Sequence, residues 1–277
     1  MTNRLFPTPA DALKPEMGVR RFGRVNWLGL ATLTEREIRR FTNVWTQTLA
    51  APVATAVLFM LVFTLAIGTQ RGEIEGVPFA VFLAPGILMM TVIQNAFANT
   101  SSSIMVSKVQ GNIVDTLMPP LSPGELLTGF VTGGVARGLF VALGVAVVIF
   151  PFLGIWPAHP FWALAYVIAG SAMLALAGLI GGIIAQKFDH LAAFTNFVIT
   201  PLSFLSGTFY SSAAVPGAFS VLLHINPVFY LIAGARYGFI GIEDAPPALG
   251  LAIVVATDIA LGLLAYSWLK SGYRLKS

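Results

Sequence analysis

Four stretches without a charged side chain, 41–70, 76–107, 138–186 and 190–235, constrain this chain more than any other feature of its sequence. A helix that crosses a bilayer needs about 20 mostly apolar residues. The first two runs are long enough for one span each. The third holds two, separated by the breakers Pro151, Trp156-Pro157 and Pro160, and the fourth holds one span and a remainder. A further apolar run near 249–269 contains a single acid, Asp258. The expected spans are therefore 47–68, 79–104, 124–150, 162–185, 191–209 and 249–269. Only 10% of the residues are charged and 56% are hydrophobic, against a globular norm of about 25% charged. The expected fold class is an all-α integral membrane protein with six transmembrane helices.

Ahead of the first span, residues 1–26 carry five cations, two acids and three prolines but no apolar core of a secretory signal, which predicts a cytosolic lead-in. The absence of cysteine excludes disulfides and thiolate metal sites. Orientation follows from the cations, which accumulate on cytoplasmic segments. With the N-terminus inside, thirteen of the sixteen Lys and Arg face the cytoplasm, Arg71 and Arg236 lie outside, and Arg137 falls within the third span. Both termini are then cytoplasmic. The net charge of +4 is a topology signal, with anionic headgroups as secondary partners. No basic patch is interleaved with aromatics, so a nucleic-acid partner is not expected.

Trp27, Ala31, Ile38, Phe41 and Trp45 recur at helical spacing with charges between them, which predicts an amphipathic helix in the inner interface. Thr34 and Glu37 have the spacing of a capping box at its start, and Pro52 offers a bend into the first span. Between the fifth and sixth spans, the apolar pieces 213–224 and 228–242 are each too short to cross. They read as a re-entrant outer hairpin broken at Asn226-Pro227.

Catalytic chemistry finds no support in the sequence. No Gly is followed by Lys, so a phosphate-binding loop is absent. The histidines 159, 190 and 224 fall in three different loops, which rules out a clustered-His metal site. Asp258, Arg137 and Arg236 sit within or near membrane depth, where an ionised group costs about 2.5–3.5 kcal/mol and marks a functional site by default. For Asp258 the competing explanation is a structural pair with Arg236 or Arg137. Arg236 could instead snorkel outward as a headgroup anchor. The pairs Gly129/Gly133, Gly134/Gly138 and Gly178/Gly182 allow close helix packing inside one bundle.

The stretch "NIVDTLMPPLSPGE", 112–125, divides into two parts. Asn112 can cap a short helix over 113–117 with Asp115 near its positive end. Pro119-Pro120 ends it. Ser122, Pro123 and Glu125 then restart a helix as N-cap, N1 and N3, so Glu125 reads as a cap rather than a functional acid. The product is a short rigid knob with Ile113, Leu117 and Met118 turned to the cytosol, suited to a partner that moves two spans.

Three segments carry a resemblance to a known family: "FLAPGILMMTVIQNAFANTSSSI" (82–104), "GNIVDTLMPPLSPGELLTGFVTGGVARG" (111–138) and "PLSFLSGTFYSSAAVP…INPVFYLIAGARYGFIG" (201–241), with Pro227, Tyr230 and Arg236 at the family's spacing. Over 35–270 the chain resembles the ABC-2 type permeases, the membrane halves of ATP-binding-cassette exporters. The resemblance implies six spans over 34–270, with 1–33 as lead-in and 271–277 as tail. It also implies an interfacial N-terminal helix, a coupling helix between spans 2 and 3, and a re-entrant hairpin before span 6. It further implies a homodimer in the bacterial cytoplasmic membrane with two copies of a separate ATP-binding subunit. ATP and Mg would then be held by that subunit, and no cofactor by this chain. The coupling role maps onto Asn112, Ile113, Asp115, Leu117 and Met118. An ATP-independent secondary transporter or channel is the alternative function, disfavoured by six spans and no evident internal repeat.

Overall fold

The computed structural model describes residues 25–68, 72–215 and 217–275; most of the expected lead-in, Arg71 and Lys276 lie outside them. Helix α1, Trp27–Thr42, leads into α2, Ala51–Phe63, which is flanked by π-helical turns Thr46–Ala50 and Thr64–Gly68. A two-stranded hairpin follows, β1 Glu73–Ile74 and β2 Val77–Pro78. Then come α3, Phe79–Val109, the short α4, Ile113–Leu117, α5, Pro123–Leu153, and α6, Pro160–Ile184. Helix α7, Phe188–Phe194, continues through a π turn, Thr195–Ile199, into α8, Thr200–Leu205. The chain ends with α9, Gly217–Ile225, α10, Pro227–Ile240, and α11, Pro247–Ser271.

Among the described residues five helices are long and apolar enough to cross a membrane: Thr46–Ala66, Phe79–Val109, Pro123–Leu153, Pro160–Ile184 and Pro247–Ser271. They match five of the expected spans, each running a few residues longer than expected at one or both ends except the first. The segment expected as the fifth span, 191–209, is helical only to Leu205 and carries the π turn at its middle. Two local expectations fail. Thr34 lies in the middle of α1, whose N-cap is Asn26, with its side chain accepting from the Gly29 N–H. The helix is interrupted at 43–44, ahead of Pro52. Pro52 instead follows the π turn Thr46–Ala50 inside the continuous helix Thr46–Ala66.

Helix α3 is the centre of the bundle, with buried residues on every side of it, and α6 and α10 pack against it. In lipid, helices gain little from hiding apolar surface and associate through close packing of small residues. The sequence supplies those residues. A Cβ at Gly178 of α6 would lie 2.4 Å from the Phe97 carbonyl oxygen of α3. That close approach lets the Thr100 hydroxyl donate to the Ala175 carbonyl at 2.6 Å. Peripheral helices do the opposite and expose apolar side chains: Val57, Leu58, Leu61 and Val62 on α2, Ile259 and Leu263 on α11. Such surfaces are stable where acyl chains are the solvent. A second, smaller core at the α4 end gathers Leu33, Ile113, Leu126, Leu179 and Leu269.

Candidate functional site

The short helix α4 sits in a corner formed by α1 and the end of α3. Asn112 is its N-cap by position, but its side chain makes no capping bond and donates instead to the Gln110 side chain at 3.2 Å. The expected outward face is corrected as well. Ile113 is 7% exposed and belongs to the core, and Leu117 is half-buried against the same cluster. The outward apolar residues are Val114 and Met118, the latter 74% exposed. A five-residue helix resting on a core must turn one edge inward, and packing against α1 and α5 selects the Ile113 edge. Asp115 and Asn112 are exposed.

The segment after α4 behaves as a stop and restart. Ser122 and Glu125 form the complete capping box of α5. Glu125 also does more than cap its own helix. One of its carboxylate oxygens accepts from the Ser122 N–H at 2.6 Å, the other from the Asn26 N–H at 2.5 Å. The cap of α5 therefore also pins the start of α1, and Asn26 returns a bond to the Pro120 carbonyl at 3.3 Å.

A charge network fixes α1 to the bundle. Glu37 is completely buried, yet it is neutralised: Arg36 approaches at 3.1 Å and Arg40 at 3.3 Å, and the Ser103 hydroxyl donates at 2.8 Å. Arg40 reaches across to α3, donating to the Ser102 hydroxyl and to the Asn99 side chain, both at 3.0 Å. Arg36 extends the other way and donates to the Thr116 hydroxyl of α4 at 3.0 Å. Space for Glu37 comes from Gly133 of α5, where a Cβ would meet the Glu37 Cβ at 2.5 Å. Around this network lie two open grooves of about 570 and 370 Å³, and Arg36, Asp115 and Thr116 line both. Thr116 carries no expectation from the sequence, and Glu37 reads there only as the capping-box partner of Thr34. The signal for Glu37 was present, because it lies four residues from Leu33 and from Phe41 on the buried stripe of α1.

At the other end of α3, Arg236 of α10 is 1% exposed and does not snorkel outward. It pairs with Asp244 in a buried ion pair, donates to the Gly207 carbonyl at 2.7 Å and lies 3.9 Å from the centroid of the Phe82 ring. Ser211 donates to Asp244 at 3.3 Å and also to Glu75, at the turn of the β1–β2 hairpin. This lock gathers α3, the strand hairpin, the loop after α8 and α10. Pro227 is the first residue of α10, and the Tyr230 hydroxyl donates to the His224 carbonyl at 3.0 Å, stapling α10 to α9. The break at Asn226-Pro227 falls where expected, with Asn226 accepting from the Val228 N–H.

The expected pairing of Asp258 with Arg236 or Arg137 is absent. Arg236 is taken by Asp244, and Arg137 donates to the Asn95 side chain at 2.9 Å. One carboxylate oxygen of Asp258 is buried without a hydrogen-bond partner among the described residues. No cluster of metal-binding side chains occurs among those residues either.

The family model described as ABC-2 type transporter matches residues 29–240, which include most of α1, all of α4 and α10, and Arg236. The inner membrane transport permease YadH of Escherichia coli K12 is 38% identical over 252 residues, covering 91% of this chain and 98% of that one. Nodulation protein J of Sinorhizobium fredii is 24% identical over 223 residues, covering 78% of this chain and 83% of its own. The counterpart from Rhizobium leguminosarum is 24% identical over 243 residues, covering 84% and 89%. The chain is thus a member of the ABC-2 type transporter family, a multi-pass membrane permease subunit of an ABC transporter.

Proposed function

We propose that this chain is one half of a homodimeric exporter of the bacterial inner membrane, driven by two copies of a separate ATP-binding subunit. In this reading the chain has six spans, the run from Phe188 to Leu205 being the fifth, with both termini and α4 in the cytoplasm and the α9–α10 hairpin re-entering from outside. ATP and Mg belong to the partner. Closure of the two ATP-binding subunits pushes α4 and switches the dimer between inward- and outward-facing states. Cargo is lipidic, drug-like or saccharide in character.

The observation that carries this reading is the construction of the α1–α4 corner. Exposed Val114 and Met118 share α4 with Thr116, which accepts from Arg36, and Arg36 pairs with Glu37, which Arg40 and Ser103 link to α3 at the centre of the bundle. A force applied to α4 therefore reaches α3 through bonded contacts. The test is co-purification of the permease with an ATP-binding subunit, followed by ATP hydrolysis and transport in proteoliposomes. The double variant Val114→Asp/Met118→Asp should insert normally and lose ATPase binding or its coupling to transport. Normal coupling in that variant would overturn the role of α4, and failure of the native chain to bind any ATP-binding subunit would overturn the whole reading.

A further inference from the structure

Cations from two other elements close the C-terminal end of α6. A helix leaves its last four carbonyls without partners of its own. Lys108, next to last in α3, donates to the carbonyls of Gly182, Ile183 and Ala185 at 3.0, 2.5 and 3.1 Å, which uses all three of its N–H groups. Arg274, in the tail after α11, donates to the Ile184 carbonyl between them at 3.5 Å. The tail turns back to reach it. Arg274 has φ 52°, in the left-handed region that a residue with a Cβ seldom enters. Its neighbour Leu275 holds that turn, buried in the smaller core with Ile183 and Leu269.

The same two segments carry further positive charge. Lys187 lies three residues beyond Ile184 and Lys270 four before Arg274, and both are exposed, as is Arg274. None of these cations, nor Lys108, forms an ion pair among the described residues. Asp189, the acid nearest to Lys187 in sequence, is exposed and equally unpaired among them. Elsewhere the chain provides a carboxylate for Arg36, Arg39, Arg40 and Arg236. Here Lys187, Lys270 and Arg274 keep N–H groups that no side chain of the chain takes up. Apolar groups stand among them. Ile184, Phe188 and Tyr273 are exposed, the Tyr273 ring lies 5.2 Å from that of Trp268, and the Arg274 guanidinium is 5.5 Å from the Tyr273 ring. Aromatic rings of this kind collect at the headgroup level of a bilayer.

We infer that the end of α6 and the tail after α11 form a binding site for an anionic phospholipid of the cytoplasmic leaflet, with Lys187, Lys270 and Arg274 around its phosphate and Ile184, Phe188 and Tyr273 beside its acyl chains. Basic side chains at the cytoplasmic ends of membrane helices suit such headgroups, and a guanidinium offers N–H groups to two phosphate oxygens at once. An acidic soluble protein would be met by the charges but not by the exposed Ile184 and Phe188; a phospholipid is met by both. The lipid is a resident neighbour that ties the tail to α6, not the transported cargo. The inference rests on the reading that the α4 end, which shares its core with Leu275, faces the cytoplasm.

The test is lipid retention by the purified full-length chain in detergent, read by native mass spectrometry with phosphatidylglycerol and phosphatidylcholine of the same acyl chains in equal amounts. Wild type should retain phosphatidylglycerol in preference. Lys187→Gln and Arg274→Gln change exposed side chains and should each lower that preference about fivefold. Arg39→Gln removes an exposed cation of α1 that is paired with Glu35, and should leave the preference unchanged. No preference in wild type, wild-type preference in the triple variant Lys187→Gln/Lys270→Gln/Arg274→Gln, or an equal loss in Arg39→Gln would overturn the site. Inorganic phosphate distinguishes the source: it should fail to displace phosphatidylglycerol, and displacement would assign the site to a free anion and overturn the lipid. Orientation is scored apart from this, since the chain has no cysteine of its own. Ser271→Cys should be labelled only from the cytoplasmic side. Labelling from outside would overturn the assignment to the cytoplasmic leaflet, while the preference measured in detergent would stand or fall by itself.

Discussion

Arg236 and Arg36 lie toward opposite ends of the bundle and are accommodated in different ways. Arg236 is enclosed, paired one to one with Asp244, and joined to elements far apart in sequence. Arg36 is about half exposed, shares the single buried carboxylate of Glu37 with Arg40, and reaches a threonine on a helix of five residues. One end is a closed lock in which the paired charges, Arg236 and Asp244, are both buried. The other is a partly exposed network beside two grooves, in which two arginines share one carboxylate. A membrane protein needs the first kind of site to hold irregular backbone together at depth and the second kind wherever it must respond to another chain.

The contrast can be broken most severely at the lock. Arg236→Met leaves Asp244 buried and unpaired and should cost about 3–5 kcal/mol, read as a large drop in thermal unfolding temperature in nanodiscs. Adding Asp244→Leu to it should restore part of the loss, since no charge is then left without a partner. At the other end, Glu37→Gln should cost less, about 1–3 kcal/mol, because Arg36 and Arg40 can turn to water. Equal losses at Arg236 and Glu37 would erase the distinction between lock and network.

Smaller effects sharpen it. Ser122→Ala removes the N-cap of α5 and should cost about 1 kcal/mol. Glu125 retains its bond to the Asn26 N–H in that variant, so α1 should stay docked, which limited proteolysis near Asn26 can verify. Met118→Asp changes an exposed side chain and should shift stability by no more than about 0.5 kcal/mol, while weakening capture of the ATP-binding subunit. Ile113→Ala, on the buried edge of the same short helix, should act through stability instead, at about 2–5 kcal/mol.

Helix α4 shows where sequence reasoning stops. Its boundaries, its proline stop and the capping box of Ser122 and Glu125 were all legible, because caps and breakers act over three or four residues. Which apolar edge turns outward was not, since Ile113, Val114, Leu117 and Met118 are equally apolar and only the packing against α1 and α5 separates them. Arg236 repeats the lesson over a longer distance. Its spacing from Pro227 and Tyr230 was visible, but the choice between Asp244, Asp258 and open water was made by the path of the loop after α10.

By itself the sequence determined the membrane class, five of the spans, the break at Asn226-Pro227 and the family, because apolar length and short-range caps are local properties that the bilayer reads one segment at a time. Tertiary structure alone decided how the charges are shared: Arg236 with Asp244, Arg36 and Arg40 with Glu37, and Arg137 with no carboxylate among the described residues. Those pairings join helices distant in sequence, and in a low-dielectric interior their energy depends on separations of a few ångströms, which no spacing along one chain specifies.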